Sequence, residues 1–327
     1  MMRRGISAFL VTLNFLLANG GALAETLVIA HRGASGYLPE HTLPAVAMAH
    51  AQGADFIEQD VVLTKDDVPV VLHDIHLEAT TDVAARFPDR ARDDGRFYAI
   101  DFTLEEIRSL AVGERRSTAG AVFPDRFPVA DRFLRVPTLA EEIALIQGLN
   151  RSTGRETGIY VELKAPDFHE SEGRSFSAVV LNVLYAHGYR DSSDRVFLQC
   201  FDEGTLRFLA DHTDIRLVQL LEDKQLTEQR ARDIAGYAQG VGPWIGFLAE
   251  QPEFVAAAQA QGLVVHPFTF RADQLPRGVD SYTALLDFFV GELGVDGVFT
   301  DHTDLTRAYL AGRRAGASRM ADSGAEN

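Results

Sequence analysis

The link Thr64-Lys65-Asp66-Asp67-Val68 constrains this chain more than any other feature. It joins two apolar runs with β-strand character, Phe56–Leu63 and Pro69–His73. Five residues cannot make a parallel crossover, which needs a dozen or more, so the two runs must form an antiparallel hairpin. Seven further strand-like runs recur: Leu27–Ala30, Ile159–Leu163, Val196–Cys200, Leu217–Leu221, Val241–Ile245, Leu263–Pro267 and Gly297–Thr300. Helix-patterned segments such as Leu43–Gln52, Leu139–Gln147, Ala178–Ala186, Glu253–Gln261 and Tyr282–Leu293 lie between many of them. Alternating strands and helices imply a parallel α/β fold. Setting aside the return arm of the hairpin leaves eight parallel strands, the number a TIM-type (β/α)8 barrel requires. A doubly wound open sheet is the other α/β solution, but no Gly-x-Gly-x-x-Gly turn follows the first strand, so nothing supports nucleotide binding. Residues 75–136 carry little strand pattern and many Asp, Arg, Phe and Pro; they read as a rim insertion with a short helix near Leu104–Leu110.

Both ends stand apart from the barrel domain, residues 25–312. The first 24 residues have a basic start, an apolar stretch from Ile6 to Ala18 and small residues at Ala22 and Ala24, the layout of a cleavable secretory leader. The apolar stretch is too short for a comfortable membrane span. Removing Met1–Ala24 takes away two arginines and no acid, so the formal charge of −16 becomes −18. Such a surface argues against a nucleic-acid partner, whose affinity comes from basic contacts to phosphates. The expected product is exported, to the periplasm, with no membrane insertion once the leader is gone. From Arg313 to residue 327 the chain is small and polar and is expected to be a disordered tail. The single cysteine, Cys200, can form no internal disulfide.

Polar groups at the ends of apolar runs mark the candidate site: His31, Glu58, Asp60, His73 and Glu162. The C-terminal ends of parallel barrel strands converge on one face, and residues two apart on a strand share a side, as do Glu58 with Asp60 and Glu162 with Lys164. Counting back from the hairpin turn puts His73 opposite the neighbourhood of Glu58 and Asp60. Three converging carboxylates repel one another and raise each other's pKa unless a cation compensates; all-oxygen ligands favour a hard divalent ion. The plainer reading, acids on an exposed strand paired with arginines, loses ground because two strand-terminal histidines accompany them. Imidazoles near a cation and an anionic substrate suit acid–base catalysis. A zinc site built from His31, His73 and an acid is the competing reading, but the spacing matches no standard zinc motif. The other histidines, His41 among them, read as isolated surface or capping residues, apart from His266 inside a strand. An anion site on so acidic a protein must be built from local cations. Arg32 beside His31 and Lys164, one of only three lysines, are the candidates for phosphate.

The run from His31-Arg32-Gly33 to Glu40-His41-Thr42-Leu43-Pro44-Ala45 resembles the opening motif of the glycerophosphodiester phosphodiesterases. Glu58-Gln59-Asp60-Val61 with Val70-Val71-Leu72-His73-Asp74, then Val161-Glu162-Leu163-Lys164-Ala165-Pro166, then Val298-Phe299-Thr300-Asp301 are similar to its later blocks. Thr81-Asp82-Val83 through Phe102-Thr103 is similar to the rim insertion of the periplasmic bacterial branch. The resemblance implies a TIM barrel and a bound divalent cation, Ca²⁺ ahead of Mg²⁺, held by Glu58, Asp60 and Glu162. It also implies hydrolysis of small glycerophosphodiesters to sn-glycerol 3-phosphate and an alcohol. His31 and His73 would be the acid–base pair, Arg32 and Lys164 would contact the phosphate, and the glycerol 2-hydroxyl would act as internal nucleophile. Two departures bear on headgroup preference: a short segment between Leu221 and Val241, and Trp244 after Gly242-Pro243, where enterobacterial members carry an acid. A related barrel phospholipase of C or D type, and an exported binding or adhesion protein without turnover, are the alternatives.

Overall fold

The computed structural model describes residues 26–127 and 133–324. The leader expected at Met1–Ala24 lies outside them. Eleven strands are present among the described residues. Eight of them are parallel and form the wall of the barrel: β1 (Leu27–Ala30), β2 (Phe56–Leu63), β6 (Gly158–Leu163), β7 (Val196–Cys200), β8 (Arg216–Leu221), β9 (Gly240–Pro243), β10 (Val264–Val265) and β11 (Gly297–Thr300). Their order round the wall is β10-β9-β8-β7-β6-β2-β1-β11. Backbone bonds from Asp296 to the Val265 carbonyl (3.0 Å) and from Phe299 to the Pro267 carbonyl (3.1 Å) bring the two ends together, giving a nearly closed, TIM-like barrel.

β3 (Pro69–Val71) returns antiparallel on β2, in the register Val61↔Val71 and Leu63↔Pro69, with Asp67 left-handed in the turn (φ 57°). The Leu72 amide bonds the Asp60 carbonyl at 2.8 Å, so His73, the next residue, emerges beside the acid-bearing half of β2 as the hairpin count requires. β9 ends at Pro243, two residues earlier than the apolar run suggests. Trp244 there becomes the N-cap of the helix Ile245–Glu250.

Period-two alternation explains why these strands are apolar on both sides. Val28, Ile57, Val61, Ile159, Val161 and Leu198 join the large core between wall and helices. Ile29, Phe56, Tyr160, Phe197, Val218 and Phe299 form a separate buried cluster on the other side, within the barrel. That aromatic plug fills the lower barrel. Stepping by two from its members toward the C-terminal ends reaches His31, Glu58 and Asp60, Glu162, and Gln199: polar groups carried on a rigid base.

The insertion packs its own small core, including Leu77, Phe102, Ile107, Leu110 and Leu134, against Val62, Val70 and Leu72 of the hairpin. Its helix Leu104–Arg108 opens with a reciprocal capping box between Thr103 and Glu106. A two-residue-armed hairpin, β4 (Arg116–Ser117) with β5 (Gly120–Ala121), follows. The last helix, Thr303–Gly324, runs through most of the stretch read from sequence as a disordered tail from Arg313; over those positions the chain is helical. Small and polar residues there include several alanines, which favour helix despite carrying no apolar stripe. No helix among the described residues is long and apolar enough to cross a membrane.

Candidate active site at the mouth of the barrel

The predicted residues meet at the C-terminal end of the barrel. His31, Arg32, Glu58, His73, Glu162 and Lys164 line one cavity of about 470 Å³. Asp60 lies behind it with no exposed surface. β2 and β6 are in parallel register with Asp60 opposite Glu162, which places acids from distant segments side by side.

Each of the two histidines is backed by an aspartate. His31 Nδ1–H donates to Asp301 Oδ1 at 2.6 Å, and His73 Nδ1–H donates to Asp74 Oδ1 at 2.7 Å. A carboxylate on Nδ1 fixes that tautomer and leaves Nε2 as the reacting nitrogen. Burial, reinforced by Arg32, lowers His31 to about 3, with Asp301 opposing. Burial with Arg32 and Lys164 lowers His73 to about 4 against Asp60 and Asp74. Both rings are therefore neutral near pH 7, the form that can accept a proton.

Each aspartate is in turn held by an arginine of the insertion. Arg126 donates from Nη2 to Asp301 Oδ2 (2.7 Å) and from Nε and Nη2 to Asp273 (2.7 and 3.0 Å). Arg271 adds a bond to Asp301 Oδ2 at 3.0 Å. Arg115 bridges Asp74 Oδ2 (2.6 Å) and Glu40 Oε1 (2.5 Å). Glu40 also receives Arg32 Nη1 at 3.1 Å. Burial pushes the Glu40 carboxyl up, but Arg32 and Arg115 outweigh it and hold it well below the usual range. Arg115, Arg126 and Arg271 were not legible in the sequence, where 28 arginines compete and the insertion has no repeating pattern. Asp74 and Asp301 did carry a signal, since each closes a block of residues already singled out.

The turn after β1 lets these groups approach. Arg32 and His41 adopt left-handed backbone (φ 58° and 60°), and the Arg32 amide donates to Glu58 Oε2 at 2.7 Å. Gly36 packs against the end of β11; a Cβ there would lie 2.8 Å from the Asp301 carbonyl and 2.6 Å from His302 Nε2. Only a glycine allows that contact, which seats the turn against the residue orienting His31.

His41 departs from the sequence reading. It is buried, and its Nε2 lies 2.7 Å from Asp60 Oδ2. With Glu58 and Asp60 it offers ligand atoms all within 4.8 Å of one another, a group that could hold a metal ion. Glu162, expected as the third ligand, instead accepts Lys164 Nζ at 2.7 Å beside Asp60. Burial drives Glu58 well above the ordinary carboxylate range, and Asp60 adds to the push. Burial likewise lifts Glu162 to about 8, Lys164 opposing and Asp60 reinforcing. Asp60 itself stays well below the usual range, because Lys164, His73 and His41 overcome its burial. Asp60 Oδ1 is buried with no hydrogen-bond partner. An orphaned carboxylate oxygen among three crowded acids fits a divalent cation, since a cation supplies both the missing partner and the missing charge. Arg32 and Lys164, the expected phosphate contacts, lie against the same acids: Arg32 Nε is 3.4 Å from Asp60 Oδ2, and Lys164 Nζ 3.7 Å from Asp60 Oδ1.

The profile of the glycerophosphoryl diester phosphodiesterase family matches residues 31–305. A glycerophosphodiester phosphodiesterase of Haemophilus influenzae is 38% identical, over 90% of this chain and 93% of its own. One from Treponema pallidum is 34% identical, over 89% and 93%. A crystal structure from Silicibacter pomeroyi DSS-3, assigned as a glycerophosphoryl diester phosphodiesterase, shares 29% identity at a TM-score of 0.68, covering 89% of this chain and 94% of that one. An Oleispira antarctica phosphodiesterase, solved with the product sn-glycerol-3-phosphate, has a TM-score of 0.65 at 22% identity, over 88% and 97%, a likeness of fold.

Proposed function

The chain belongs to the glycerophosphoryl diester phosphodiesterase family, and from that membership we propose that it hydrolyses glycerophosphodiesters to sn-glycerol 3-phosphate and an alcohol, with His31 and His73 as acid and base. The observation that carries the reading is the pair of imidazoles in one cavity, each with Nδ1 committed to an aspartate and Nε2 left for proton transfer. In the first step one imidazole takes the proton of the glycerol 2-hydroxyl, whose oxygen forms a bond to phosphorus. The phosphorus–alcohol bond breaks, and the other imidazole, having first taken a proton from solvent on Nε2 beside the anionic phosphate, gives that proton to the departing oxygen. Water then opens the cyclic phosphate with the two roles reversed. The internal hydroxyl is already positioned, so little entropy is left to lose.

Glu58 and Asp60, with Glu162 and His41 beside them, would hold a divalent cation, Ca²⁺ before Mg²⁺ because Ca²⁺ takes more direct carboxylate oxygens whereas Mg²⁺ keeps several waters. Such a cation supplies charge stabilisation to the phosphoryl oxygens. Lys164 and Arg32, paired with these acids at the edge of the cavity, would be the cations nearest a bound phosphate. The basic start, apolar stretch and Ala22-Leu23-Ala24 support export to the periplasm with Glu25 as the mature N-terminus.

The test is release of glycerol 3-phosphate from glycerophosphocholine by the purified protein, with and without chelator, beside His31→Ala and His73→Ala variants of confirmed fold. Turnover that survives excess chelator rejects the cation role, and wild-type rates in both variants reject the acid–base pair. Intact phospholipid vesicles serve as the control substrate; preference for them would indicate a phospholipase instead.

A further inference from the structure

The cavity has a second wall that the phosphate chemistry does not use. Phe201, Leu220, Glu222, Trp244, Phe268 and Phe299 line it. Phe201 and Trp244 keep 39% and 38% of their surface exposed. Large aromatic side chains left in water at the rim of a polar site are costly unless something covers them. The barrel's alternation puts them there: Phe201 follows Phe197 and Gln199 by steps of two, and Glu222 follows Val218 and Leu220. Trp244 and Phe268 are parallel bridge partners, so their side chains leave the same face. The Phe201 and Phe268 rings meet edge to face at 5.8 Å. At the inner end of this wall Lys164 Nζ lies 5.7 Å from the Phe201 ring; Arg271 also lines the cavity, with its Nε committed to Asp301 at 3.0 Å. Glu222, at the outer end, is exposed, and among the described residues it enters no ion pair. Lys224 is turned elsewhere, 3.5 Å from Glu250 and 5.6 Å from the Phe247 ring, and does not line the cavity.

We infer that this wall is the subsite for the departing alcohol and that it selects a quaternary ammonium alcohol of the choline class over neutral polyols. The inference rests on the hydrolytic reading above and names the substrate class for it. Aromatic faces attract a cation through their quadrupoles, most strongly for tryptophan. A trimethylammonium group has no N–H to satisfy, so it suits a surface of rings with one carboxylate at its edge. A glycerol or inositol headgroup gains no such attraction from the rings, and its hydroxyls would have to turn from them toward Gln199 or Thr269 elsewhere in the lining. The cavity volume admits a phosphate and a small alcohol together.

Trp244 is the only tryptophan in the sequence, so its emission reports on this wall alone. The experiment titrates the full-length protein with choline and with 3,3-dimethyl-1-butanol, which has the same shape with carbon in place of charged nitrogen. Choline is expected to change the emission saturably and to bind at least about tenfold more tightly than the neutral isostere. Glu222→Gln, a near-isosteric change at an exposed position, should weaken choline about threefold. In parallel, the ratio of kcat/KM for glycerophosphocholine to that for glycerophosphoglycerol should fall about tenfold in Trp244→Ala. Equal binding of choline and its isostere, or a ratio unchanged in Trp244→Ala, overturns the inference. Turnover of all diesters without discrimination sinks this subsite and leaves the hydrolase reading intact. Choline binding with no turnover of any diester keeps the subsite and sinks the hydrolase.

Discussion

Replacing Asp301 by asparagine isolates the charge that orients His31 while conserving its shape. Asp301 is 1% exposed and accepts three bonds: from His31 Nδ1 at 2.6 Å, Arg126 Nη2 at 2.7 Å and Arg271 Nε at 3.0 Å. All three are charge-assisted, and such bonds are roughly twice as strong as neutral ones. An amide keeps one oxygen acceptor, so each bond should weaken by about 1 kcal/mol, for a loss of about 3 kcal/mol. Arg126 retains Asp273, which keeps the loss from growing. For a barrel of this size that corresponds to a fall in Tm of roughly 5 °C, leaving a folded enzyme to assay. The catalytic effect should be larger. When the amide group rather than its oxygen faces Nδ1, the imidazole takes the other tautomer and presents Nε2–H where a base is needed. Loss of an orienting carboxylate in comparable machinery lowers kcat by up to about 10⁴, so a drop of 10² to 10⁴ is expected with KM changed less than about threefold. The assay is steady-state release of glycerol 3-phosphate, with circular dichroism to confirm the fold. A folded Asp301→Asn protein with kcat within about threefold of the wild type would refute the role given to His31. A loss confined to KM would do the same.

Arg115→Met removes the tie between Asp74 and Glu40, and kcat should fall about tenfold with KM nearly constant; Arg115→Lys should recover part of it, which a merely structural role would not require. His41→Ala takes a nitrogen from the cluster with Glu58 and Asp60, and calorimetry should show divalent-cation affinity reduced about 10- to 100-fold. The metal-free protein should have a stability maximum near neutral pH. Glu162, raised to about 8, binds more protons folded than unfolded, so its stabilisation is lost as pH climbs through that value. His31 and His73, lowered to about 3 and 4, bind fewer protons folded, so stability falls as pH drops below about 6.5. Thermal melts from pH 5 to pH 9 with chelator check this, and saturating Ca²⁺ should flatten the alkaline slope; an unchanged slope would count against a cation at these carboxylates.

Local signals carried the barrel and half of its site. The five-residue link admitted only a hairpin, and period-two alternation put Glu58 with Asp60 and Glu162 with Lys164 on common faces, because strand geometry fixes side-chain direction within two residues. His31 and His73 were legible for the same reason, as polar ends of apolar runs. His41 was not, since its contact with Asp60 follows from a left-handed turn that no spacing rule reports. The arginine clamps on Asp301 and Asp74, and the exchange of His41 for Glu162 in the tightest acid cluster, depend on where a patternless insertion lands on the barrel rim. Trp244 shows the boundary well: the apolar run suggested a strand residue, yet Pro243 ends the strand and turns the indole into the cavity mouth. Short-range covalent geometry is written residue by residue along the chain. Which charges neutralise one another is settled only when segments more than a hundred residues apart are pressed into one desolvated space, where every pairing depends on all the rest.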